Sequence, residues 1–167
     1  MKIGIVMGSK SDVDSMKRAA AILDDFGISY EMVIASAHRT PAAVQAFVTR
    51  LEQERAVAFI AGAGAAAHLP GVIASYTTLP VIGIPLNATG MQGLDSLLAI
   101  VQMPSGMPVA TMAIDGSKNA ALLAVQICSL LDERIREAYK EYRTHMAEAV
   151  CADNDALQME LASHRSK

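Results

Sequence analysis

The sequence predicts a three-layer α/β/α domain on a doubly wound, mostly parallel sheet, and three observations carry that prediction. Short apolar runs alternate with longer stretches of helical period, the pattern of successive βα units. With 52% apolar and 19% charged residues, the chain has material for a large core and too few charges for intrinsic disorder. No Ser/Gly/Pro-rich linker or charge block interrupts it, so residues 1–167 read as a single domain, with 132–160 as a C-terminal helical extension.

The first strand is "KIGIVM", Lys2 to Met7, followed by "GSKSD" and a helix from about Asp12 to Phe26. Val13, Met16, Ala20 and Leu23 recur at three- and four-residue spacing and form its buried stripe, and Gly27 is its C-cap. A second strand, Tyr30 to Ile34, leads into "SAHRTP", where Thr40 is suited to N-cap the next helix and Pro41 to open it. That helix is expected to run to about Arg55. The third strand, "AVAFIA", is apolar throughout, as a central strand covered on both faces must be. After the small-residue segment "GAGAAAHLPG" come a fourth strand near "LPVIGI", the loop "PLNATGMQG" and a helix from Asp95. A fifth strand is expected over Pro108 to Ile114 and a helix capped by Ser117 after it. The tail carries Leu131, Ile135, Tyr139, Tyr142, Met146 and Val150 along one face, making an amphipathic helix with a charged back. The set gives a flavodoxin- or Rossmann-like α/β sandwich.

Charge and composition exclude several classes. A net charge of −3 leaves no basic footprint for nucleic acid. No apolar stretch reaches the roughly 18 residues of a membrane span, and strand-like sequence directly after Met1 leaves no room for a secretion signal, so a soluble, cytoplasmic protein is expected. Cys128 and Cys151 have neither CxxC nor Cys/His spacing, which argues against a disulfide or a zinc site.

In open parallel sheets ligands bind beyond the carboxyl ends of the strands, where loops and helix N-termini converge. Four unusual loops fall on that rim: Gly8 to Asp12, Ser36 to Arg39, Gly62 to Gly71 with His68, and Asn87 to Gly93. The hydroxyls of Ser9 and Ser11 beside a helix start suit a phosphate, as does the fork of Arg39. "GSKSD" is equally well read as an ordinary helix cap. Asp12 is placed to accept hydrogen bonds from sugar hydroxyls. His38 carries an imidazole, which titrates near neutrality and serves as general acid and general base alike. His68, among small apolar residues, reads equally as a residue that holds its own loop, and His145 and His164 as solvated surface. There is no GxGxxG, no Walker loop, no aromatic platform for a flavin and no aspartate after the third strand for phosphoreceiver chemistry. No His/Asp/Glu cluster has metal-ligand spacing, so metal-free chemistry is expected.

Taken together, "MGSKSD", "SAHRTP", "AGAGAAAHLPG", "GLDSLLAIVQMPSGMPVATMAI" and "NAALLA" closely resemble the bacterial 5-(carboxyamino)imidazole ribonucleotide mutase family of purine biosynthesis. The resemblance covers roughly residues 3 to 130, in order. It implies a single catalytic domain that moves a carboxyl group from the exocyclic nitrogen of an aminoimidazole ribonucleotide to ring carbon C4, through trapped CO₂, with no cofactor or metal. Carried over by motif, His38 is the general acid/base. Ser9, Asp12 and Arg39 match substrate-binding positions, and Ser11, Ser36, Gly64, His68 and Leu69 complete the substrate site, with the Gly62 to Leu69 loop walling the CO₂ pocket. The resemblance also implies a homo-octamer, in which the tail helix either exchanges between subunits or packs on its own domain. The chain departs from the family in having Ala65 where a second glycine is usual, Val13 where an aromatic is usual, and a shortened link from Ile114 to Asn119. A sister branch that carboxylates the aminoimidazole directly with CO₂ has Lys at the place of Arg39 and lacks the His68 loop. A nucleotide-binding module without chemistry is the non-enzyme alternative.

Overall fold

The computed structural model describes residues 1–165 and has a five-stranded, all-parallel sheet in the order β2-β1-β3-β4-β5. The strands are β1 (Lys2–Met7), β2 (Ser29–Ile34), β3 (Ala56–Gly64), β4 (Val81–Leu86) and β5 (Ala110–Thr111). The helices are α1 (Val13–Asp25), α2 (Pro41–Gln53), α3 (Leu69–Ala74), α4 (Leu94–Val101), α5 (Ser117–Ser129) and α6 (Glu133–Arg165), and a 3-10 turn at Lys10–Asp12 leads into α1. This is the doubly wound three-layer sandwich expected from the alternation of strand and helix periods.

Side chains alternate across a strand, so each central strand feeds two cores. Ile3, Ile5 and Met7 of β1 and Ala58 and Ile60 of β3 join Met16 and Leu23 of α1 and Ala120, Ala124 and Cys128 of α5 on one face. Val6, Phe59, Ala61 and Ala63 face the other way, onto Val44, Val48 and Leu51 of α2, Ile73 of α3 and Ile100 of α4. Burial pushes the Cys128 thiol above its ordinary value, which keeps it protonated and inert. At the end of α1, Gly27 takes the left-handed conformation, φ +63°, that its role as C-cap requires.

Several element boundaries differ from expectation, each for a physical reason. β3 runs on to Gly64, because Gly62 to Gly64 continue the ladder against Ile84 to Leu86. The expected fifth strand shrinks to two residues. It is an edge strand whose start, Pro108, has no N–H to donate, and only Ala110 and Thr111 pair with β4. α2 stops at Gln53 because Arg55 is left-handed, φ +63°. Ser117 does not cap α5. It is the first helical residue, buried, and its hydroxyl meets that of Ser15 at 2.8 Å, tying α5 to α1. Thr40 is the N-cap residue of α2 and Pro41 opens the helix, as expected, but the Thr40 side chain makes no capping bond.

The tail helix is longer than expected and divides in two. Ile135 and Tyr139 pack on the core and Tyr142 meets Phe26 edge-on at 5.6 Å, so this part lies on its own domain. Of the same apolar face, Leu131 lies before the helix, and Met146 and Val150 are more than half exposed.

Near the amino ends of β1 and β2, Lys2 and Arg50 pair with Glu31 and Glu54. Hydrogen bonding from Arg50 holds Glu31, and from Lys2 and then Arg50 holds Glu54, below the ordinary carboxyl value of 4.5. A depressed folded-state value gives stabilisation that is present above the unfolded value and lost as pH falls through the folded one. Both carboxylates are 38% exposed, so the effect is screened and small. The melting temperature is therefore expected to fall on acidification below about pH 4.5, less steeply in Arg50→Met, and the difference should shrink in about 1 M salt. Equal slopes in both proteins at low salt would count against the pairing.

Candidate active site

The loops after β1, β2 and β3 enclose a cavity of about 360 Å³ at the carboxyl edge of the sheet. Ser9, Ser11, Asp12, Ser36, His38, Arg39, Gly64, His68 and Leu69 all line it, so the nine residues singled out in the sequence meet in one place. Gly8, Ala37, Ala63, Ala65 and Ala66 complete the wall, with Ala88 the sole contribution of the loop after β4. The rim site is thus built from three loops and touched by the fourth. A larger cavity of about 800 Å³ lies by the amino ends of β4 and β5, but its ionisable groups are only Glu52 and Tyr76. The smaller one holds two imidazoles, a guanidinium and a carboxylate, the groups that proton transfer and anion binding require.

The first loop is organised by Asp12, which is buried at 9% exposure. One carboxylate oxygen accepts the Ser9 N–H at 3.0 Å and the other accepts the Ser11 hydroxyl at 3.0 Å. The Ser9 hydroxyl accepts the Ser11 N–H, completing a capping box. Both readings of "GSKSD" meet here. The segment is a helix cap, and the same cap fixes the serine hydroxyls on the cavity wall.

The second loop is a closed turn. The Thr40 N–H and hydroxyl both donate to the Ser36 carbonyl, at 2.8 and 3.3 Å, and the hydroxyl oxygen accepts the Ser36 N–H at 2.9 Å. The Thr40 side chain therefore serves the loop, while its carbonyl accepts the Ala43 and Val44 N–H groups that open α2. From this turn the two adjacent cationic and aromatic side chains reach opposite ways. Arg39 donates to the Gly8 carbonyl of the first loop at 2.8 Å and to the Ser36 hydroxyl at 3.4 Å, leaving its remaining N–H groups for an anion. His38 reaches the third loop, where its Nε2 lies 2.7 Å from Nδ1 of His68, the rings meeting edge-on at 81°.

The third loop leaves β3 through Gly64, where a Cβ would sit 2.4 Å from the Cβ of Ala88. Ala65 follows in the left-handed region, φ +53°. An alanine there costs roughly 1–2 kcal/mol, so its glycine-like conformation fits the position where the resembling family has glycine. The turn delivers His68 to the start of α3, opposite His38. Sequence reading did not find Ala88 as a wall residue, since nothing distinguishes it from its loop neighbours. Among the described residues no group of three His, Cys, Asp or Glu side chains is arranged to hold a metal ion.

A flavodoxin-like α/β sandwich with an imidazole pair, a guanidinium and a capped serine loop in its carboxyl-edge crevice has the groups suited to anion recognition and proton transfer in a cavity of small-molecule size. The family model described as AIR carboxylase matches residues 2–149, and the chain belongs to that family. It is 54% identical over 145 residues to N5-carboxyaminoimidazole ribonucleotide mutase of Pyrococcus abyssi, covering 87% of this chain and 83% of the relative. To the mutase of the same name from Thermotoga maritima it is 50% identical, over 94% of this chain and 92% of the relative. The crystal structure of PurE from Treponema denticola superposes with a TM-score of 0.87 at 32% identity, over 93% of this chain and 98% of that one.

The Thr40 hydroxyl is what holds the His38–Arg39 turn shut. Thr40→Val keeps the shape and leaves the Ser36 N–H without its acceptor, an expected loss of about 1 kcal/mol. In a chain of this size that lowers the melting temperature by roughly 2–4 °C. An unchanged melting temperature in calorimetry would mean that water replaces the hydroxyl without loss.

Proposed function

We propose that this chain is an N5-carboxyaminoimidazole ribonucleotide mutase, an isomerase of purine biosynthesis. It converts the 5-carboxyamino ribonucleotide into the isomer with its carboxylate on ring carbon C4. The observation that carries the reading is that relatives of this name are 54% and 50% identical over most of the chain, while every motif residue carried over meets in one cavity.

In this reading protonated His38 gives its proton to the exocyclic nitrogen as the carbamate C–N bond breaks. The bond's electron pair goes to nitrogen, and CO₂ is set free within the cavity. The electron-rich ring then attacks through C4, forming the new C–C bond. His38 takes the proton that C4 must shed, which restores the aromatic ring and reloads the acid. One proton is lent and one recovered, so a single imidazole balances the cycle. Arg39 and the hydroxyls of Ser9 and Ser11 receive the phosphate. The carboxylate of Asp12 has lone pairs left, beyond those that cap its loop, for ribose hydroxyls. The alanines and Gly64 of the third loop form a small apolar wall where CO₂ escapes hydration.

A relative from Vigna aconitifolia named phosphoribosylaminoimidazole carboxylase, 44% identical over 93% of this chain and 28% of its own length, keeps direct carboxylation as the second reading. The pairing of Arg39 with the His68 loop favours the mutase. A homo-octamer and a cytoplasmic location belong to the same proposal. They are supported by family resemblance and, for location, by the fact that no helix among the described residues is long and apolar enough to cross a membrane.

Offered the carbamate substrate, or separately the aminoimidazole ribonucleotide with bicarbonate, the protein is expected to turn over the first. His38→Asn should slow that turnover by about 10²- to 10⁴-fold with ribonucleotide binding retained, and Arg39→Ala should mainly raise KM. Turnover of only the aminoimidazole would make the chain a carboxylase, and near-normal turnover in His38→Asn would remove its acid/base role.

A further inference from the structure

His38 and His68 are 30 residues apart in the chain, yet Nε2 of the first and Nδ1 of the second lie at hydrogen-bond distance, 2.7 Å. One hydrogen must lie between them, because two bare nitrogens would repel and two N–H groups would clash. Among the described residues, no protein group is hydrogen-bonded to the outer nitrogens, Nδ1 of His38 and Nε2 of His68. The other charged groups facing the pair across the cavity are Asp12 and Arg39. Asp12 bonds Ser9 and Ser11, Arg39 bonds Gly8 and Ser36, and neither is hydrogen-bonded to either ring. Among the described residues no other protein group competes for the pair, so the tautomers of both rings follow from which of the two facing nitrogens gives the shared hydrogen.

We propose that His68 is the positioning residue for His38: its Nδ1 accepts the Nε2–H of His38 and so leaves Nδ1 of His38 bare as the nitrogen that takes and returns the substrate's proton. Both rings are then Nε2–H tautomers. When His38 is loaded with its second proton, the bond to His68 becomes charge-assisted and stronger. The same contact fixes the ring plane and ties the second loop to the third, so the proton-carrying atom keeps its place as the carboxyl group moves between nitrogen and carbon. This assignment rests on the acid/base reading of His38, but its first test does not.

In solid-state ¹⁵N NMR of the whole protein labelled at histidine, above the imidazole titration range, His38 is expected to carry hydrogen on Nε2 only. It should also show a scalar coupling to Nδ1 of His68 across the N–H···N bond. The chain has 4 histidines, so single His→Asn variants assign the spectrum. Absence of the coupling, or hydrogen on Nδ1 of His38, overturns the proposal whatever the reaction is. In the mutase assay His68→Ala should lower kcat about 10- to 100-fold, by analogy with the loss of a partner that orients a metal-bound imidazole, with KM little changed. His68→Asn, whose Oδ1 falls where Nδ1 was, should recover most of that loss. Equal losses in both variants, or a change confined to KM, would give His68 a different role. A failed wild-type assay with an intact coupling would instead indict the reaction.

Discussion

The parallel register of β1 between β2 and β3 is the constraint on which the site depends. Met7 stands opposite Ile34 on one side and Gly62 on the other, so the three chain segments leave the sheet side by side. No loop could build the cavity alone. Given that register, the adjacent residues His38 and Arg39 reach in opposite directions, one to His68 in the third loop and the other to the Gly8 carbonyl in the first. The dipeptide is a two-way clamp between the loops, and a slip of the strands would undo it.

The small residues of β3 have a related purpose. Ala61 and Ala63 are buried against the second core, and Gly64 passes within a side chain's thickness of Ala88. Larger residues would push β3 from its neighbours and fill the space where the reading above puts CO₂. Stability comes from the larger side chains further down the same strands, Phe59 and Ile60 among them, both fully buried. The sheet thus keeps bulk at its centre and sparseness at its carboxyl edge, which separates the holding of the fold from the chemistry it supports.

Much of this was legible in the sequence because it is local. Strand and helix periods, Gly27 as a cap, and the placement of odd loops at one edge follow from patterns within a few residues. The fifth strand was overestimated because apolar "PVATMAI" looks like any strand, while its edge position and Pro108 limit the pairing to two residues. Chain position makes Ser117 and Thr40 natural caps, and Thr40 does stand at the N-cap of α2, but neither side chain makes the capping bond. Their hydroxyls answer instead to Ser15, far away in sequence, and to Ser36, one turn back. The His38–His68 contact spans 30 residues and was invisible for the same reason. Each histidine was found, but the bond between them exists only in the folded register.

Confinement of CO₂ is the central claim, since it separates an isomerase from an enzyme that draws CO₂ from solution. Carbamate substrate labelled with ¹³C at its carboxyl carbon and turned over in excess unlabelled bicarbonate tests it directly. If the three loops hold the CO₂ between its departure from nitrogen and its capture at C4, the C4 carboxylate of the product keeps the label. Product carrying unlabelled carboxylate in proportion to the bicarbonate pool would contradict a closed transfer in this cavity.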